Sequence, residues 1–244
     1  MKQMTLVAGW ILVLGTAQAM ADTQWTYSGD EGPENWGELS EEFVMCAEGV
    51  NQSPIDIRGP IEAEVSPLQI DYGRNAERIV NNGHTLKVEV APGSQISLGD
   101  NSFALKQYHF HSPSENLIEG QSYPLEAHLV HANDQGNLAV IGVMFEDGEA
   151  NPALAQLIAD LPEEVGMPQL LAEPLDASEL LPESRAYYRF NGSLTTPPCT
   201  EGVRWYVMKE PLTASPEQIE ALSQAMPYPN NRPVQPINAR PVLH

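Results

Sequence analysis

Apolar and polar residues alternate along ERIVNNGHTLKVEV, residues 77–90, and this period of two predicts strand, turn, strand with Asn82-Gly83 as the turn signal. After the turn, His84, Leu86, Val88 and Val90 share one parity. FALKQYHFH predicts the next strand. Phe103, Leu105, Gln107, His109 and His111 fall on one face of it; the other face, with Ala104, Tyr108 and Phe110, is also largely apolar, so the strand is central to a larger sheet. LEAHLVHA sets Glu126, His128 and Val130 against Ala127, Leu129 and His131, and the apolar run from Leu138 to Phe145 predicts a third buried strand. Helical spacing is confined to two short stretches. Asn151-Pro152 precedes Leu154, Leu157, Ile158 and Leu161, with Asn as N-cap and Pro at the first helical position. Ser215-Pro216 repeats the device, with Gln218 placed for a capping box and Ile219, Leu222 and Met226 on one stripe.

Composition narrows the class. The 244 residues include 18 Gly and 21 Pro spread throughout, so turns are frequent, and no linker or repeat divides the chain. The prediction is one mainly β (α+β) domain over residues 22–244. Residues 1–21 read as a cleaved secretory signal: Lys2, an apolar core from Leu6 to Leu14, then the small residues of AQAMAD, with cleavage after Ala19 or Ala21. Nothing later approaches the roughly 20 apolar residues of a membrane span. The expected location is therefore periplasmic or secreted. Twelve Lys+Arg against 33 Asp+Glu give a net charge of −21, a surface that repels nucleic acid and anionic lipid. Solubility explains such acidity, and so does adaptation to salt. In an oxidising compartment the only two cysteines, Cys46 and Cys199, are expected to be bridged, with two free buried thiols as the alternative.

The candidate chemistry lies in QYHFHSPSE, residues 107–115. In an extended strand residues i and i+2 point the same way, so His109 and His111 offer two imidazoles to one point, and Gln107 on that face is placed to fix a ring tautomer. His128, in the same kind of segment, brings a third nitrogen. The combination reads as a metal site; two partly buried histidines are the plainer alternative for the H-x-H pair alone. Glu115, past a Pro-containing bend, is by itself an exposed acid. His84 is either a capped core residue or a group facing a cavity. Trp25, Tyr27 and Trp36 pin an otherwise irregular segment.

QYHFHSPSE, EAHLVH, the SLTTPP stretch beginning at Ser193, NNGH and NNRPVQPINAR, in that spacing over nearly the whole chain after the leader, resemble the α-class carbonic anhydrases, most of all the bacterial periplasmic type. The resemblance implies a central twisted, mostly antiparallel sheet of about ten strands with short peripheral helices. It implies zinc-dependent reversible hydration of carbon dioxide to bicarbonate and a proton, by attack of zinc-bound hydroxide in an apolar pocket. His109, His111 and His128 match the zinc ligands, and Gln107 and Glu126 the residues that orient them. Thr195 matches the threonine that orients the hydroxide and donates to Glu115, and Thr196 its bicarbonate-binding neighbour. Val130, Val140, Leu194 and Trp205 match the apolar wall for carbon dioxide. His84 matches the proton shuttle, and Tyr27 and Asn82 residues that order water beside it. Asn116, Thr85 and Lys87 depart from commoner patterns without removing a ligand. The implied partners are carbon dioxide and bicarbonate, and a homodimer stays open. Two rivals remain: a cupin-like metal protein, which fits H-x-H-x3-E but lacks a glycine-framed second motif, and a zinc-binding module without catalysis.

Overall fold

The computed structural model describes residues 23–244, so the expected leader at 1–21 lies outside the described residues. The strands are β1 (Asp56–Ile57), β2 (Gln69–Asp71), β3 (Arg74–Asn81), β4 (Leu86–Val90), β5 (Gln95–Leu98), β6 (Asn101–His111), β7 (Leu117–Ile118), β8 (Leu125–Ala132), β9 (Leu138–Asp147), β10 (Gln169–Asp176), β11 (Tyr187–Ser193), β12 (Glu201–Met208) and β13 (Leu212–Ala214). The helices are α1 (Trp36–Leu39), α2 (Met45–Glu48), α3 (Pro152–Ala159) and α4 (Pro216–Gln224).

Eleven strands form one sheet with the path β10-β3-β4-β6-β8-β9-β12-β11; β5 joins β6, β2 joins β5, and β13 joins β9. The ladders are antiparallel except β12 on β9 and β13 on β9, which are parallel. The sheet is mostly antiparallel, as expected, with eleven strands and two parallel ladders. β1 and β7 pair separately. No helix among the described residues is long and apolar enough to cross a membrane.

The sheet is covered on both faces, as the apolar strands require. One face carries the main core, in which Phe103, Tyr108, Leu129 and Ile141 pack with Leu154 and Leu157 of α3 and Leu222 of α4. The other carries a smaller cluster that includes Ile55, Val140, Phe190 and Trp205. Both longer helices begin as predicted: Asn151 Oδ1 accepts the Ala153 and Leu154 N–H groups, and Ser215 and Gln218 form the capping box. Gln218 also exchanges two 2.8 Å hydrogen bonds with the Asn151 backbone, tying the two helix starts together.

Two parity predictions are corrected. The register of β6 on β8 shifts between Leu105 and Gln107, so Lys106 is an extra residue. Beyond this bulge the faces exchange. Phe103 and Leu105 therefore lie in the main core with Tyr108 and Phe110, on the face opposite Gln107, His109 and His111. Likewise β4 starts at Leu86, so the inward parity of Leu86 and Val88 does not extend to His84, which sits in the turn where Gly83 takes φ +87°.

Candidate metal centre

Register assembles the site. Lys87, His109, His128, Gly142 and Val207 are consecutive partners across β4, β6, β8, β9 and β12. The adjacent row is Glu89, Gln107, Val130, Val140 and Trp205. One row thus carries two imidazoles and the next carries polar Gln107 followed by an apolar wall, on strands held from both sides. His111 faces Glu126 one step further along.

The three histidines offer ring nitrogens that all lie within 4.8 Å of one another. Two of them have their other nitrogen hydrogen-bonded, and the third has a carboxylate beside it. His109 Nδ1 donates to Gln107 Oε1 at 2.9 Å, and His111 Nδ1 to the Asn230 carbonyl at 2.7 Å. His128 Nε2 lies 2.9 Å from Glu126 Oε1, a close approach off the line of the ring N–H. Burial, followed by the neighbouring imidazoles, pushes His109 and His128 well below the ordinary histidine range; burial lowers His111 as well, against the Asn230 carbonyl. All three are neutral at pH 7, with lone pairs available. His111 Nε2 and Glu115 Oε2 are buried without hydrogen-bond partners. Three neutral imidazoles that face one point could hold a metal ion, and a three-histidine donor set fits zinc.

Glu126 is fixed from several directions. Its Oε2 accepts the Glu115 and Asn116 N–H groups at 2.8 and 2.9 Å, and its Oε1 accepts Asn116 Nδ2 at 2.8 Å. Asn116, a departure in the sequence, is therefore what holds Glu126. A Cβ at Gly142 would stand 3.0 Å from Glu126 Oε1, so this glycine leaves the carboxylate its room. Burial raises Glu126, opposed by the Asn116 bonds. Burial raises Glu115 to about 8, opposed by the Arg232 N–H, which donates to Oε1 at 2.9 Å, and by the Thr195 side chain. Positive charge at the triad would act against that rise.

The remaining predicted residues line two adjoining cavities that share Gln107, His109 and Thr196. One, of about 100 Å³, has Val130, Val140, Leu194 and Trp205 as its apolar wall, with Thr195 and His128. The other, of about 130 Å³, reaches Tyr27, Asn82 and His84. The His84 ring stacks on Trp25 at 3.7 Å and 7°, and burial lowers its pKa. Asn82 Oδ1 accepts the His84 and Thr85 N–H groups, bracing the turn. The Tyr27 hydroxyl is buried without a partner, and burial, then Glu115, pushes it up.

Sequence reasoning used NNRPVQPINAR only as a family motif and assigned residues 230–232 no part in the site. Besides the carbonyl that holds His111, Asn230 accepts Ser112 N–H at 2.7 Å and donates to the His84 and Phe110 carbonyls at 3.1 and 3.0 Å. Arg232, 2% exposed, donates through its guanidinium to Gln52, Ser53 and Cys46. Cys46 and Cys199 are disulfide-bonded. Gln52 Nε2 donates to the Cys199 carbonyl at 3.0 Å. The bridge and Arg232 thus share a buried network beside the loop that carries Thr195.

Residues 31–244 match the eukaryotic-type carbonic anhydrase family. The carbonic anhydrase of Pectobacterium carotovorum is 46% identical over 244 residues, 100% of both chains. Among solved structures, the α-carbonic anhydrase of Thermovibrio ammonificans with the inhibitor sulfanilamide superposes with a TM-score of 0.90 at 48% identity, covering 92% of this chain and 100% of that one. The α-carbonic anhydrase of Photobacterium profundum gives a TM-score of 0.86 at 50% identity, covering 91% and 100%. Identity near one half along full-length relatives, on a fold that superposes this closely, supports one assignment: the chain belongs to the α-class carbonic anhydrase family.

Proposed function

We propose that this protein catalyses the zinc-dependent, reversible hydration of carbon dioxide to bicarbonate and a proton. The observation that carries the reading is the convergence of three neutral imidazole nitrogens, each oriented by a partner on its far side, at the end of a small apolar cavity. His109, His111 and His128 would hold zinc. Zinc when bound supplies a Lewis acid that lowers the pKa of water at the open position, an effect for which carbonic anhydrase is itself the standard illustration.

The chain's own residues supply the rest. Gln107, the Asn230 carbonyl and Glu126 fix the ring orientations and keep the donor nitrogens aimed inward. The Thr195 hydroxyl has one proton; given toward the acceptor-only Glu115 carboxylate, it leaves oxygen lone pairs facing the cavity, which orient the incoming nucleophile. Val130, Val140, Leu194 and Trp205 receive carbon dioxide, which has neither charge nor hydrogen-bond donor, and Thr196 binds bicarbonate. His84, with its pKa lowered by burial, is a neutral base at pH 7 and takes the released proton to solvent, with Tyr27 and Asn82 ordering the water between. Export to the periplasm or beyond is part of the same proposal, supported by the leader-like residues 1–21 and by a bridged cysteine pair.

The test is carbon dioxide hydration by the purified protein before and after chelation, with metal content measured. One zinc per chain and an activity lost on chelation and restored by zinc are expected. Bound zinc without chelator-sensitive activity would replace this reading with a non-catalytic binding module.

A further inference from the structure

Lys87 stands where the mechanism above gives it nothing to do. It lies directly across from His109 on the cavity face of the sheet, so their Cβ atoms are neighbours. It lines the same cavity as Thr196 and His84, and among the described residues it is the one Lys or Arg lining either part of the site. Its Nζ is 3.3 Å from Glu89 Oε1, two residues along on the same face, and its side chain is one-third exposed. An ammonium has three donors, and this contact occupies one of them. The setting matters because the chain as a whole carries a net charge of −21, a field that opposes the approach of any anion.

We propose that Lys87 and Glu89 form an anion-tuning pair on the wall of the site: Lys87 offers its free N–H donors to bicarbonate or another small monovalent anion in the cavity, and Glu89 sets how strongly it attracts. The proposal rests on the reading of this cavity as a bicarbonate site. The pairing makes the two partners act with opposite sign. Removing the cation weakens anion binding; removing the carboxylate unmasks the cation and tightens it.

The test is calorimetric titration of sodium thiocyanate into the zinc-loaded full chain at fixed low ionic strength, alongside thiocyanate inhibition of hydration. Lys87→Gln is expected to raise the Kd about fivefold and Glu89→Gln to lower it by about threefold, the scale of a partly exposed charge contact. Lys87→Arg keeps the cation and is expected to stay near the parent. Glu173→Gln, an exposed position on the edge strand β10, changes net charge by the same unit away from the site and controls for the bulk field. Unchanged affinity in both Lys87→Gln and Glu89→Gln, each carrying one zinc per chain, would overturn the proposal, and so would a shift of equal size in Glu173→Gln. If Lys87→Gln does not fold, Glu89→Gln decides alone, and failure to tighten sinks the idea. A parent protein that shows the opposite-sign pattern but hydrates no carbon dioxide would overturn the proposed function and leave the anion pair standing.

Discussion

Replacing Asn230 by alanine probes the part of the site that has no catalytic residue in it. The side chain makes three hydrogen bonds to backbone groups, Ser112 N–H and the carbonyls of His84 and Phe110, and a weaker one at 3.7 Å to Met226 Sδ. The Phe110 carbonyl keeps a second donor in Thr85, and the His84 carbonyl is part-buried, so each of those losses costs about 0.5–1 kcal/mol. Ser112 N–H is buried and left alone, at about 1–3 kcal/mol. The expected destabilisation is about 3 kcal/mol, read as a lower urea midpoint at unchanged m. The second effect is on metal. The Asn230 carbonyl holds His111, and a segment freed from its side-chain anchors holds it less well, so zinc affinity measured by chelator competition should fall about tenfold or more. A variant that loses under about 1 kcal/mol and keeps parental zinc affinity would refute the view that residues 230–232 position His111.

Thr195→Ala should keep its zinc and lose about a hundredfold in kcat/KM, because it removes orientation and not a ligand; parental activity would contradict the assigned role. His84→Ala should lower kcat in weak buffer at least about tenfold with little change in kcat/KM, and imidazole buffer should restore part of the loss, whereas parental kcat would assign the proton to another route. Cutting the 153-residue Cys46–Cys199 loop by reduction should cost at most about 5 kcal/mol and lower activity through the Thr195 loop; stability indifferent to reductant would remove the bridge from the account. His131, buried with Tyr72 OH 2.6 Å from its Nε2, is held at about 3 by burial, against an ordinary 6.5. The unfolded chain therefore binds a proton the folded one refuses. This contribution is harmless above about pH 6.5 and destabilises progressively as pH falls toward 3, by up to about 1.4 kcal/mol per unit. His131→Gln should flatten urea midpoint against pH between 6 and 4, and equal slopes would refute it.

The histidine pattern was legible because two periods of two, HFH in β6 and EAHLV in β8, are local, and strand parity turns local spacing into a shared face. Helix starts at Asn151 and Ser215 were legible for a similar reason: a cap acts within three residues. The position of Glu115 was not, because its burial depends on the Arg232 N–H, 117 residues away in sequence. Nor was Asn230, whose contribution to His111 is a carbonyl that every residue type possesses. Asn116 appeared as a departure from the family, and only its contacts with Glu126 give it a purpose.

The bulge at Lys106 shows why parity misled in the same strand where it worked. β6 is eleven residues long and has two obligations: its first half closes the core beside Ile96 of β5, and its second half presents ligands. With one unbroken period of two, Phe103 and Leu105 on the core face would put His109 and His111 there too. One extra residue against β8 releases the two halves from each other. The register beyond the bulge then fixes His109 opposite His128 and His111 opposite Glu126, and a slip of one residue would turn every ligand of that strand to the wrong face. The geometry of the metal centre is in this sense a property of strand pairing, and the partners that hold each ring refine an arrangement the sheet has already made.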